Sequence, residues 1–169
     1  MNLHLIDSDM EVASALKDAF ACFNEVEVIH GDILCRAEEC IVSPANSFGF
    51  MDGGFDRELY SFFGPSIQTR VHETIHRRPE GCLPVGASLI VPTGHQRIPY
   101  LLIAPTVTLP EQVGPLNAYR AMRAVLRAAE AASDVFSHIF CPGLTTGVGG
   151  VAPEEAAEQM AKAFKDFYS

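Results

Sequence analysis

Short aliphatic runs alternate with stretches of helical period along almost the whole chain, and that alternation constrains the fold more than any other feature of the sequence. Residues 3–6 form a strand ending at Asp7, after which Val12, Leu16, Ala19, Phe20 and Phe23 recur at helical spacing. Ser8-Asp9-Met10-Glu11 has the S-x-x-E form of a capping box and sets that helix's start at Ser8. Strands follow at 26–29 and 40–45, then a helix over 55–63 that breaks at Gly64-Pro65. Pro65 opens another helix whose buried stripe is Ile67, Val71 and Ile75. Residues 87–91 and 101–104 read as two strands parted by the turn chemistry of Thr93-Gly94-His95-Gln96. A helix over 116–132 presents Tyr119, Met122, Leu126 and Ala129 on one side and Arg120, Arg123 and Arg127 on the other. That arginine trio reads as a solvated helix face or as a binding patch. The last strand, 138–141, runs through the glycine-rich stretch 142–151 into a helix opened by Pro153, with Ala156, Met160, Ala163, Phe164 and Phe167 on its apolar side. Strands that are continuous apolar runs, each followed by a helix, predict a mostly parallel sheet covered on both faces, a three-layer αβα domain.

At 169 residues the chain fits one domain with a single core, spanning 1–169. Lys and Arg total 12 against 21 Asp and Glu, a net charge of −9, so the chain carries no basic footprint for nucleic acid. An anionic ligand must then be held by something other than a Lys/Arg cluster. Five scattered cysteines without a C-x-x-C pair argue against a metal clip or a disulfide framework. No apolar segment reaches membrane-spanning length, and the acidic N-terminus has no signal-like run, so neither a membrane partner nor export is expected and the predicted location is cytoplasmic.

In a parallel sheet of this kind ligands bind beyond the carboxyl ends of the strands, and the polar, glycine-rich loops lie there. Gly143-Leu-Thr-Thr-Gly-Val-Gly-Gly150 offers successive backbone N–H groups just before a helix, suited to a phosphate or diphosphate, or else simply to a tight turn. It lacks the lysine of a nucleoside-triphosphate P-loop, and no G-x-G-x-x-G follows the first strand. Asp32 reads either as an acceptor for a base amino group or ribose hydroxyl, or as a helix cap. Asn46 reads as a ligand to sugar hydroxyls or as a turn-former. Asp56, after Gly53-Gly54-Phe55, reads as a base toward water or as the N-cap of a helix beginning near Arg57. His72-Glu73-Thr74-Ile75-His76 matches the H-E-x-x-H of zinc peptidases, but Arg77-Arg78 adjoin it and no third ligand follows, so no metal is expected.

Gly31-Asp32-Ile33, then Val42-Ser-Pro-Ala-Asn46 through Gly53-Gly54-Phe55-Asp56, then Pro142 through Gly150, resembles in that order the macrodomain family of ADP-ribose binders, in particular its bacterial stand-alone members. The resemblance implies a six-stranded mixed sheet with ADP-ribose or an ADP-ribosylated protein as partner, and no cofactor. It also implies an adenine contact from Asp32 with the Ile33 N–H nearby, a distal-ribose contact from Asn46, and Gly53, Gly54 and Phe55 along the distal ribose and diphosphate. Thr145, Thr146, Gly147, Val148 and Gly149 would wrap the diphosphate. The ten-residue step from Asn46 to Asp56 matches the members that remove ADP-ribose from proteins, which implies Asp56 and Asn46 as the catalytic residues, with the Asp56 carboxylate acting on a water. Two positions depart: Gly149 stands where many hydrolytic members carry an aromatic residue, and Ser43 where they carry Asn. Phe48, Phe50 and Phe55 are the candidates to compensate for the missing ring. Three readings follow: a hydrolase acting at the distal ribose, on a protein ADP-ribosyl bond or on O-acetyl-ADP-ribose; a non-catalytic ADP-ribose reader; and, remotely, a zinc peptidase.

Overall fold

The computed structural model describes residues Met1–Ser169. Six strands, β1 (Asn2–Asp7), β2 (Val26–His30), β3 (Cys40–Ser43), β4 (Leu89–Pro92), β5 (Tyr100–Ile103) and β6 (His138–Cys141), form one sheet in the order β2-β1-β6-β3-β5-β4. All neighbours are parallel except β4 and β5, which run antiparallel. The turn between those two strands is closed by Thr93, whose N–H donates to Pro99 O at 2.9 Å and whose hydroxyl donates to Ile98 O.

Side chains alternate across each strand, so one sheet builds two cores. Leu3, Leu5, Cys40, Val42 and Leu102 face one way, against α1 (Met10–Ala19), α5 (Leu116–Ala131) and α6 (Pro153–Tyr168). Ile6, Ile41, Leu101, Ile103 and Phe140 face the other, against α3 (Gly54–Phe63) and α4 (Ser66–His76). The three-layer mixed sheet expected from the sequence is therefore the fold. The stripe Ile67, Val71 and Ile75 is buried as expected, each side chain contributing about 1.5–3 kcal/mol by leaving water. Tyr119 lies on its expected face, half-buried against the first core with Met122, Leu126 and Ala129, while its hydroxyl reaches out to donate to Asp166 at 3.0 Å.

Two local expectations change. The cap of α1 is Asp9, not Ser8: its carboxylate accepts from the N–H groups of Glu11 and Val12. The sequence reading also passed over α2 (Ile33–Arg36), a single turn whose N-cap is Asp32. Arg97, from the β4–β5 turn, donates to Leu34 O and Ala37 O at 2.9 and 2.6 Å and so pins the end of that turn to the body of the domain.

Candidate functional site

The sheet order brings the carboxyl ends of β1, β2, β3 and β6 to one edge, where their loops meet around a cavity of about 670 Å³. That volume is on the scale of a nucleotide-sized ligand. Asp32, Ile33, Asn46, Gly53, Gly54, Phe55, Asp56, Thr145, Thr146, Gly147, Val148 and Gly149 all line it, so three sequence-distant motifs share one site.

The loop from β6 into α6 forms one wall. Its entry is tied to β1 by the Gly143 N–H, which donates to Asp7 Oδ2 at 2.9 Å. Only glycine passes there, since a Cβ would lie 2.5 Å from Val12 Cγ1. Leu144 N–H meets the Met160 sulfur, and beyond the loop Gly150 and Val151 donate to Gly147 O and Thr145 O. Between them, the backbone N–H groups of Thr145, Thr146, Gly147, Val148 and Gly149 donate to no protein acceptor. Thr145 also sits at φ +70°, a left-handed conformation that costs a β-branched residue about 1–3 kcal/mol. Burial to 3% exposure and a hydroxyl bond to Leu144 O hold it in place. Five successive amides without a protein acceptor on a strained turn are donors of the kind that an anion can take up.

The loop from β3 into α3 forms the opposite wall. Asn46, buried, spends its side chain locally: the amide oxygen accepts from the N–H groups of Phe48 and Phe50, and the amide nitrogen donates to Phe50 O at 2.9 Å. The turn-former reading is thus realised, and one amide proton remains for a ligand. Gly53 caps α3 without a side chain, which leaves the first-turn N–H groups open toward the cavity.

Asp56 is not the helix cap of the alternative reading, because α3 already begins at Gly54 and Asp56 lies inside its first turn. Its carboxylate is 6% exposed and accepts a 2.6 Å hydrogen bond from the Ser43 hydroxyl. Burial pushes its pKa up to about 7; the Ser43 bond pulls it down and the Asp52 charge adds to the rise. A carboxyl titrating near neutrality inside a cleft is suited to exchange a proton with water.

Asp32 caps α2 through Leu34 N–H at 2.9 Å, and its other oxygen accepts from the Cys35 thiol at 3.2 Å. The cap reading holds in this state, and each oxygen keeps a lone pair for a further donor. Of the phenylalanines, Phe50 and Phe55 line the cavity and Phe48 does not. Phe50 is half exposed and meets His72 edge-on at 5.3 Å, while Phe55 packs onto the second core. At Gly149 a Cβ would come within 2.8 Å of Thr145 O and 3.1 Å of Val113 Cγ2. The segment before α5 is bonded to the same spot, Val113 N–H donating to Gly149 O at 2.9 Å, so this chain has no room for an aromatic side chain there.

Sequence reasoning missed several lining residues. Asp7 at the end of β1, Ser8 and Asp9 in the turn that follows, and Val12 in the first turn of α1 line the cavity, with Thr106, Val107 and Pro110 from the segment after β5. Burial raises the pKa of Asp7 against the lowering effect of the two backbone N–H bonds it accepts. Six carboxylates line the cavity (Asp7, Asp9, Asp32, Asp52, Asp56 and Glu58) and no Lys or Arg does.

Of the H-E-x-x-H imidazoles only that of His76 is committed to another bond, while His72 Nε2 is buried with no hydrogen-bond partner. His76 Nδ1 donates to His72 O at 2.7 Å, and no group of three His, Cys, Asp or Glu side chains is arranged to hold a metal ion.

Together these features define an α/β domain with a cleft lined by unbonded backbone amides beside a buried carboxylate. The Macro domain model matches residues 42–160, and the chain belongs to that family. An uncharacterized protein of Aquifex aeolicus is 31% identical over 144 residues, 85% of this chain and 82% of that relative. An O-acetyl-ADP-ribose deacetylase of Escherichia fergusonii is 29% identical over 146 residues, covering 85% and 80%. A variant macrodomain of Oceanobacillus iheyensis, solved with ADPR, superposes with a TM-score of 0.70 at 21% identity, over 81% of this chain and 74% of that one. Relatives occur in archaea as well as bacteria. Residues 1–41 lie outside the family match, yet β1 is interior to the sheet and its turn lines the cavity.

Proposed function

We propose that this chain binds ADP-ribose in the cleft and hydrolyses a bond at its distal ribose. The observation that carries the reading is that five unbonded amides from Thr145 to Gly149 and the buried Asp56 line one cavity. The amides would take the diphosphate, Asp32 and the Ile33 N–H the adenine, and Asn46 with Gly53 to Phe55 the distal ribose. Asp56 would accept a proton from a water whose oxygen bonds to the anomeric carbon as the carbon–oxygen bond to a protein carboxylate breaks. With an O-acetyl ester, the same water would attack the acetyl carbonyl, and acetate and the ribose hydroxyl would leave. Ser43 keeps the carboxylate oriented, and by donating to it favours the ionised, basic form.

Release of ADP-ribose from a panel of defined substrates tests this reading. Turnover of a protein ADP-ribosylated on acidic side chains or of O-acetyl-ADP-ribose supports it, and ADP-ribose binding with no release from any member leaves the reader function in its place.

Six carboxylates and no cation around the site set a salt signature as well. Because no counterion-bearing cluster neutralises the diphosphate, ADP-ribose affinity is expected to change less than about threefold between low and physiological ionic strength, rising if it moves at all as carboxylate repulsion is screened. Isothermal calorimetry across a salt series reads this directly, and a steep loss with salt contradicts amide recognition.

A further inference from the structure

We infer that a second anion site lies between α5 and the segment that enters β4, built from Arg120, Arg123 and Arg127 against residues 84–87, and that it takes the phosphate group of a small phosphate monoester. Arg120 and Arg127 are exposed and Arg123 is half-buried, and the three stand together at a shallow, open depression. They line one wall of a concavity of about 470 Å³ whose other wall is Pro84, Val85, Gly86 and Ala87, with Tyr119 at its edge. It shares no lining residue with the ADP-ribose cleft.

Three features set this concavity apart from a chance cluster. Two of its cations are held in place: Arg127 Nη2 donates to Gly86 O at 2.7 Å, and the Arg123 guanidinium lies 5.4 Å over the Phe167 ring. Gly86 adopts φ +96°, a left-handed turn that brings this backbone against Arg120. No carboxylate lines the concavity and none of the three arginines forms an ion pair, in a chain with 21 acidic residues to draw on. The acid bonded at its margin, Asp166, accepts from the Tyr119 hydroxyl instead.

Guanidinium forks match the oxygens of a phosphoryl group, and fixing them in advance reduces the ordering cost of binding. A bare phosphate would leave most of the space open, whereas an organic substituent can lie against Pro84, Val85 and Tyr119. The electrostatics are the reverse of the cleft's: there an anion meets backbone amides among carboxylates, here it meets unpaired cations.

Inorganic phosphate and phenyl phosphate, titrated into isotopically labelled protein and followed by amide and arginine Nε resonances, test the proposal. Phenyl phosphate is expected to shift Val85–Ala87 and Arg120–Arg127, about tenfold more tightly than phosphate and with affinity falling as salt rises. Arg120→Gln/Arg123→Gln is expected to weaken that binding at least about tenfold while shifts at residues 143–149 stay as in the wild type. Arg127 is left in place because it holds Gly86. Should the Arg123 change unsettle α6 through Phe167, Arg120→Gln alone gives the same readout. Perturbation confined to residues 143–149, no saturation by about 10 mM, or equal affinity in the arginine variants overturns the second site.

Discussion

Asp56→Asn is expected to bind ADP-ribose with near wild-type affinity and to release it from substrate about 10²–10⁴-fold more slowly, the usual contribution of a positioned general base. Asparagine keeps the volume of the side chain and can still accept the Ser43 hydroxyl, so the wall of the cleft is preserved while the proton acceptor is lost. Single-turnover release and calorimetry on the same preparations separate the two effects. In the wild type, release is expected to rise with pH through a midpoint near 7, where burial places the Asp56 carboxyl, and then level off. Wild-type release by Asp56→Asn removes this carboxylate from the chemistry.

The same buried group imposes a second large effect, on stability. Its folded pKa of about 7 lies above the 3.8 of an ordinary aspartate, so between those values the folded protein retains a proton that the unfolded chain has released. Stability from this group is therefore fully present below about pH 4, is lost as pH rises through about 7, and is level above that. A separation of about three pKa units corresponds to about 4 kcal/mol. Asp56→Asn, which stays neutral, is expected to raise Tm over the wild type by roughly 10 °C at pH 8 and to converge with it at pH 4. Equal Tm differences at the two pH values contradict a buried, destabilised carboxylate. The cost is consistent with a functional group held against the preference of the fold, a familiar trade between stability and activity.

What the sequence made legible was whatever depends on local spacing. The stripe Ile67, Val71 and Ile75, the two strands around Thr93–Gln96 and the loops at Asp32, Asn46–Asp56 and Gly143–Gly150 all follow from period and turn chemistry, and the structure gathers those loops around one cavity. What escaped depends on partners far apart in the chain. Nothing near Asp7 signals that β1 lies between β2 and β6, so neither its bond to Gly143 nor the contribution of Ser8 and Asp9 to the cavity was readable. Ser43 ends an apolar run and reads as strand; its meaning arises only when Asp56, thirteen positions on, is folded against it. The α2 turn is four residues long, too short to show a period, and Ser8 and Asp9 are adjacent cap-forming residues that spacing alone does not rank. The departure at Gly149 was legible as a departure, while its cause, Val113 bonded into the space a ring would need, is tertiary.

The central claim is that ADP-ribose lies across these three motifs with its diphosphate on the Thr145–Gly149 amides. Amide chemical-shift mapping of labelled protein with ADP-ribose tests it most directly. The account predicts one-to-one saturation, with the largest shifts at Thr145–Gly149 and further shifts at Asp32, Ile33 and Gly53–Asp56. No saturation at millimolar ADP-ribose, or shifts that leave the Thr145–Gly149 amides unmoved, would contradict it.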